Sequence, residues 1–153
     1  MAITSTKLMS ETILYVRDRL RTNITDPEAT KRATAKQQFV MTSYPRRNVF
    51  YPLITIKGLN ASGQPMGQGS ETSYVTFSLE VRIWGRTEKE KNNLFDSVYT
   101  YLQHNQIPSA TVNTSQNVQL FDFKLLSATE FDEPGEEGIK SRIANFEYKF
   151  IAT

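Results

Sequence analysis

From Val75 to Trp84 the chain alternates without interruption. Val75, Phe77, Leu79, Val81 and Ile83 fall on one side, and Thr76, Ser78, Glu80, Arg82 and Trp84 on the other. A period of two over this length predicts a strand with one face on a core and one face polar. Gly85-Arg86 interrupts the pattern, and Thr87-Glu88-Lys89-Glu90 has the form of a capping box, with Thr87 as N-cap and Glu90 at the third helical position. Behind it Lys91, Leu94, Phe95, Val98, Tyr101 and Leu102 recur at helical spacing and form a stripe that can lie on a sheet.

The flanking segments extend this pattern. Met9, Ile13, Val16 and Leu20, with Leu8 and Tyr15 at the margins, predict a first helix from residue 5 or 6 to 21, ended by Asn23 and Asp26-Pro27. Residues 28–38 are polar and basic, and read as a long loop or a weak short helix. A short strand starts at Phe39-Val40-Met41 and closes at Tyr44-Pro45. A second covers 49–57, where Pro52 implies an edge position or a start at Leu53. Residues 58–73 hold Gly58, Gly63, Gly67 and Gly69 with no periodicity, which predicts a long flexible loop. Further strands are expected at 118–127 and 139–151, separated by an acidic loop containing Pro134-Gly135. Hairpin order without a βαβ rhythm gives an α+β fold, a mainly antiparallel sheet of about five strands with two packed helices. At 153 residues this is one domain, 1–153.

Composition narrows the class. Apolar residues at 39% and aromatics at 11% suit a folded domain rather than a disordered one. No stretch approaches the ~18 apolar residues of a membrane span, and the first residues lack the apolar core of a secretory signal. There is no cysteine, which excludes disulfides and thiolate metal sites, and His104 is the single histidine. The net charge of +2 does not by itself imply a nucleic-acid partner. Its distribution is uneven: Lys31, Arg32, Lys36, Arg46 and Arg47 follow Glu28, whereas Glu130, Asp132, Glu133, Glu136 and Glu137 occupy a stretch without a base. These are either two solvated loops or complementary surfaces joining copies of the chain head to tail.

Candidate chemistry is sparse. A serine or cysteine nucleophile would need a histidine base, and His104 follows the helix in a polar context at its dipole end. The glycines of 63–69 lack the Lys-Ser/Thr ending and strand-to-helix context of a phosphate loop. A metal-dependent nuclease would place carboxylates and a lysine on neighbouring strands; Glu80-Val81-Arg82 offers an arginine there instead, and reads more simply as strand residues facing a neighbouring strand. The carboxylates of the acidic stretch could hold a hard cation such as Ca²⁺, but residues 130–137 lack the ligand spacing of an EF-hand and read more simply as a solvated loop. Arg46 and Arg47, within an aromatic stretch, fit a phosphate backbone or a protein interface. Trp84, on the polar side of its strand, is either an exposed anchor at a subunit interface or covered by a helix or loop.

The layout is similar to that of the tail-terminator, or tail-completion, proteins of long-tailed bacteriophages. The residues that carry the resemblance are Tyr51-Pro52-Leu53-Ile54-Thr55-Ile56 and the strand from Val75 to Gly85. That strand runs into Thr87-Glu88-Lys89-Glu90 and the segment Leu94-Phe95-Asp96-Ser97-Val98. The texture matches over 51–57 and 74–102; the 58–73 loop departs from it, at a loop whose length varies freely in such proteins, and the acidic stretch 130–137 matches no family position. The resemblance implies a non-enzymatic virion protein at the neck, without cofactors or metal. It would assemble in the host cytoplasm as a ring, expected to be a hexamer, on the end of the tail tube. There it would stop tube polymerisation and face the head connector or stopper protein, with DNA only passing through the lumen and no membrane involved. The candidate contact residues are Arg46, Arg47, Trp84, Glu136 and Glu137. Rival readings are another neck component such as a head-closure protein, a cytoplasmic assembly factor, and a small metal-dependent nucleic-acid enzyme.

Overall fold

A computed structural model describes residues 8–43, 49–65, 73–104, 119–132 and 138–152. In chain order they form α1 (Leu8–Asn23), α2 (Ala29–Thr34), β1 (Val40–Met41), β2 (Leu53–Pro65), β3 (Ser73–Gly85) and α3 (Glu88–Tyr99). A π-helical turn (Thr100–His104), β4 (Gln119–Asp132) and β5 (Lys140–Ala152) complete the chain. The strands make one sheet in the order β1-β2-β3-β5-β4. All neighbours are antiparallel except β1 and β2, which pair in parallel through Val40 with Ile54 and Met41 with Thr55. The α+β class and the mostly antiparallel sheet are those expected from the pattern.

The alternation in β3 sets the layers. Phe77, Leu79, Val81 and Ile83 are buried on one face and align with Tyr148, Phe146, Ala144 and Arg142 of β5. On the other side of β3, Ile54 and Ile56 stand opposite Ile83 and Val81. This face packs against Tyr15, Val16 and Leu20 of α1 and Leu94, Phe95 and Val98 of α3, which together with Leu102 form the core. Phe77 and Tyr148 lie with ring centroids 5.2 Å apart, in the range of a favourable aromatic pair.

Gly85 ends β3 and determines how α3 turns back. A Cβ on Gly85 would lie 2.9 Å from the Lys91 backbone nitrogen and 3.1 Å from its Cα, so only glycine lets the first turn of α3 approach the strand end. Thr87 caps the helix by accepting a hydrogen bond from the Glu90 N–H at 3.1 Å. Glu90 reaches back one residue further than in the usual box, accepting from the Arg86 N–H at 3.0 Å.

Elsewhere the structure corrects the expected boundaries. Residues 58–65, expected in a flexible loop, continue β2: the β2–β3 ladder runs on from Gly58 with Leu79 to Pro65 with Ser73, past a bulge at Leu59. Backbone pairing to a long partner strand supplies the order that glycine-rich side chains do not. The start of the acidic stretch belongs to β4, which extends to Asp132 rather than ending near 127. Of the two readings of 28–38, the short helix is the one formed. Its end is a Schellman motif, with Gln37 N–H on the Arg32 carbonyl at 2.8 Å, Lys36 N–H on that of Ala33 at 3.2 Å, and Lys36 at φ +54°. On α1 the buried stripe is turned toward Thr12 and Tyr15, while Ile13 is only half-buried.

Gly85→Ala should destabilise the chain by about 1–3 kcal/mol, because the added methyl meets helix backbone that cannot rotate away. A lowered urea midpoint with an unchanged slope is the expected outcome; an unchanged midpoint would show that α3 does not need this approach.

Candidate functional site

Two charged clusters join the helices to the sheet. Lys91, in the first turn of α3, is 1% exposed, and its ammonium lies 2.7 Å from Glu88 Oε2 and 3.2 Å from Glu130 Oε1 of β4. Glu130 also pairs with Arg142 on β5, to which it is register-matched. The Arg142 guanidinium lies 4.5 Å from the centroid of the Phe95 ring and donates to Asn92 Oδ1 at 3.1 Å. These pairs tie α3 to the outer two strands.

The second cluster surrounds Arg86 at the β3–α3 junction. Its guanidinium donates to Glu90 through Nη2 at 2.7 Å and Nε at 3.1 Å, and to Glu28 through Nη1 at 3.0 Å. Glu28, at the start of α2, is also 3.2 Å from Lys31 Nζ. Hydrogen bonds from Lys31 and Arg86 hold the Glu28 carboxyl below the ordinary carboxylate range, and Arg86 does the same for Glu90. Arg142, then Lys91, lower that of Glu130. Beside this junction an open groove of about 510 Å³ runs between the end of α1 and α3, with Ile24, Pro27, Pro52 and Leu94 among its lining residues and Asn23 and Ser97 at its polar positions.

Arg32 anchors α2 from within. It is 2% exposed, pairs with Asp26 at 2.8 Å, and donates to the backbone carbonyls of Phe50 and Pro52 at the entry to β2. The Phe39 ring centroid lies 5.1 Å from its guanidinium carbon. Sequence pattern grouped Arg32 with a basic surface. Its partners come from residues 6 to 20 positions away, and only Asp26 ahead of the helix hints at them.

The side of the sheet away from α1 and α3 is polar through its middle. Lys57 of β2 stands opposite Glu80 of β3, which stands opposite Asn145 of β5; one row on, Ser78 is opposite Glu147. Lys124 of β4 lies 3.5 Å from Glu147. At one end the same side closes over: Leu53 and Ser141 are fully buried, and Trp84 is 6% exposed.

Of the expected contact residues, Trp84 is therefore covered rather than exposed within the subunit. The Arg82 guanidinium lies 4.1 Å from its ring centroid, and the Tyr51 ring is 6.5 Å away. Arg46, Arg47, Glu136 and Glu137 lie outside the described residues, so nothing here brings them together. Part of the charge asymmetry is consumed internally: Lys31 and Arg32 pair with Glu28 and Asp26, and Glu130 with Lys91 and Arg142. Among the described residues no group of three or more histidine, cysteine, aspartate or glutamate side chains is arranged to hold a metal ion. Glu80, the carboxylate considered for a nuclease, faces Lys57 and Asn145 across its neighbours. No family model matches the chain, and no curated protein matches it in sequence.

Glu28, Glu90 and Glu130 all ionise more readily in the folded chain than in the unfolded one. Their contribution to stability is present above the ordinary glutamate value of about 4.3 and is lost as pH falls through their lowered folded values. Urea unfolding from pH 6 down to pH 2 should show a falling midpoint, and Glu90→Gln should flatten that fall. A Glu90→Gln profile parallel to the parent would remove Glu90 from the pH dependence.

Proposed function

We propose that this chain is a structural protein of the head–tail junction of a long-tailed bacteriophage, acting as a tail terminator. It forms a ring, most simply of six copies, on the end of the tail tube, stops tube growth and offers the surface that meets the head connector. The observation that carries the reading is the β3–α3 unit. A strand with a strict period of two turns through Gly85 and the Thr87 cap into a helix that carries Leu94, Phe95 and Val98 onto the sheet. These are the residues on which the resemblance rests.

Two further features support the reading. Four of the described charged side chains serve as struts: Lys91 ties α3 to β4, Arg142 ties β5 to Asn92 of α3, Arg32 ties α2 to the entry of β2, and Arg86 ties the β3–α3 junction to Glu28 at the start of α2. Among the described residues the outer length of β2, the terminal strand β4 and the middle of the polar side offer broad contact surfaces, which suits stoichiometric binding rather than turnover.

Inactivating the gene for this chain in the phage and examining particles by electron microscopy tests the proposal. Overlong tails without heads are expected, because nothing then covers the growing end of the tube. Tails of normal length that fail to join heads would reassign the chain to a stopper or head-closure role, and normal particles would remove both.

A further inference from the structure

The two most exposed large apolar residues of the described chain are Leu126, 50% exposed, and Leu59, 46% exposed. Neither position is arbitrary. Leu59 is the extra residue of the β2 bulge, between Gly58 opposite Leu79 and Asn60 opposite Ser78. Leu126 is the extra residue of a β4 bulge, between Leu125 opposite Phe146 and Ser127 opposite Asn145. Since Leu79 is itself opposite Phe146, a single row, Gly58–Leu79–Phe146–Leu125, crosses the sheet with one exposed leucine beside each end. The strands that carry them are the two sides of the sheet: among the described residues β4 is terminal, and β1 borders β2 only at Ile54 and Thr55.

Bulges on edge strands usually guard against unwanted pairing, and charge or proline commonly accompanies them. Here each bulge instead displays a leucine, Leu59 just to one side of that row and Leu126 just to the other, on opposite edges. Strand direction adds to this. β2, β3, β5 and β4 are each antiparallel to the next, so β4 runs opposite to β2. Two copies set side by side in the same orientation therefore bring β4 of one against β2 of the next as antiparallel partners. β1, parallel to β2, meets β4 in the same antiparallel sense.

We propose that a second copy of this chain docks edge to edge, β4 against the outer length of β2, with Leu126 of one copy set against Leu59 of the next. The contact is heterologous, since each copy offers two different edges, and repetition about an axis closes a ring. The main-chain ladder supplies affinity and the paired leucines fix the register. This deepens the ring in the proposed function by naming its joint, while being carried by the sheet edges alone.

The test uses two single variants, Leu59→Asp and Leu126→Asp, each blocking one edge at a solvent-facing position. Light scattering should give a closed oligomer for the parent chain and the 17.5 kDa subunit mass for each variant alone, the association being weakened ~100-fold or more by a charge set into an apolar contact. Mixed in equal amounts, the variants should yield a species of twice the subunit mass, because each retains the edge the other lacks. That rescue also shows that both are folded, and Leu59→Ser and Leu126→Ser should weaken association without adding charge. A parent chain that stays at subunit mass at micromolar concentration overturns the inference, as do variants that keep the parent oligomer, or a mixture that remains at subunit mass. Normal phage particles in the absence of the gene would remove the head–tail reading while leaving the edge contact standing.

Discussion

The fold turns on how closely a helix can approach the end of a strand. Gly85 brings the backbone of β3 against that of Lys91, and α3 can then lie back over the strand it has just left. The tight reversal has an electrostatic consequence. It drives the Lys91 ammonium below the surface, where an unpaired charge would be costly. Glu88 from the same helical turn and Glu130 from the outermost strand meet it there. A steric constraint at one glycine thus recruits a carboxylate from the far end of the sheet.

The same economy runs through α2. Six residues are too few to form a stable helix alone, yet Ala29–Thr34 is held by Arg32, whose guanidinium answers Asp26 and two carbonyls at the start of β2. Breaking such a buried arrangement from one side costs far more than its net contribution, since the remaining groups are left without partners. Arg32 and Lys91, the buried charges among the described residues, are fittings internal to the subunit, and the exposed apolar residues are more informative about contacts.

Legibility in the sequence followed the range of the interactions. The β3–α3 unit was readable because strand alternation and a capping box are local patterns. The continuation of β2 through 58–65 was not, since Gly-Leu-Asn-Ala-Ser-Gly has weak strand preference and is ordered by residues 73–79 across the hairpin. Arg32 was read as surface charge because its carbonyl partners lie 18 and 20 residues away. Trp84 kept its predicted side of the strand but lies where that side is covered, which a period of two cannot reveal. Leu125-Leu126 breaks the alternation of β4 and could have marked the bulge.

The polar side of the sheet has a kinetic consequence. Lys57 with Glu80, and Lys124 with Glu147, set opposite charges on adjacent strands, about 5 Å apart. Fields from such pairs cancel over a distance shorter than the ~8 Å Debye length of physiological salt. These pairs therefore exert little pull at a distance. A partner meeting the paired part of this side gains little steering from it, and is selected there by how long it stays rather than by how fast it comes.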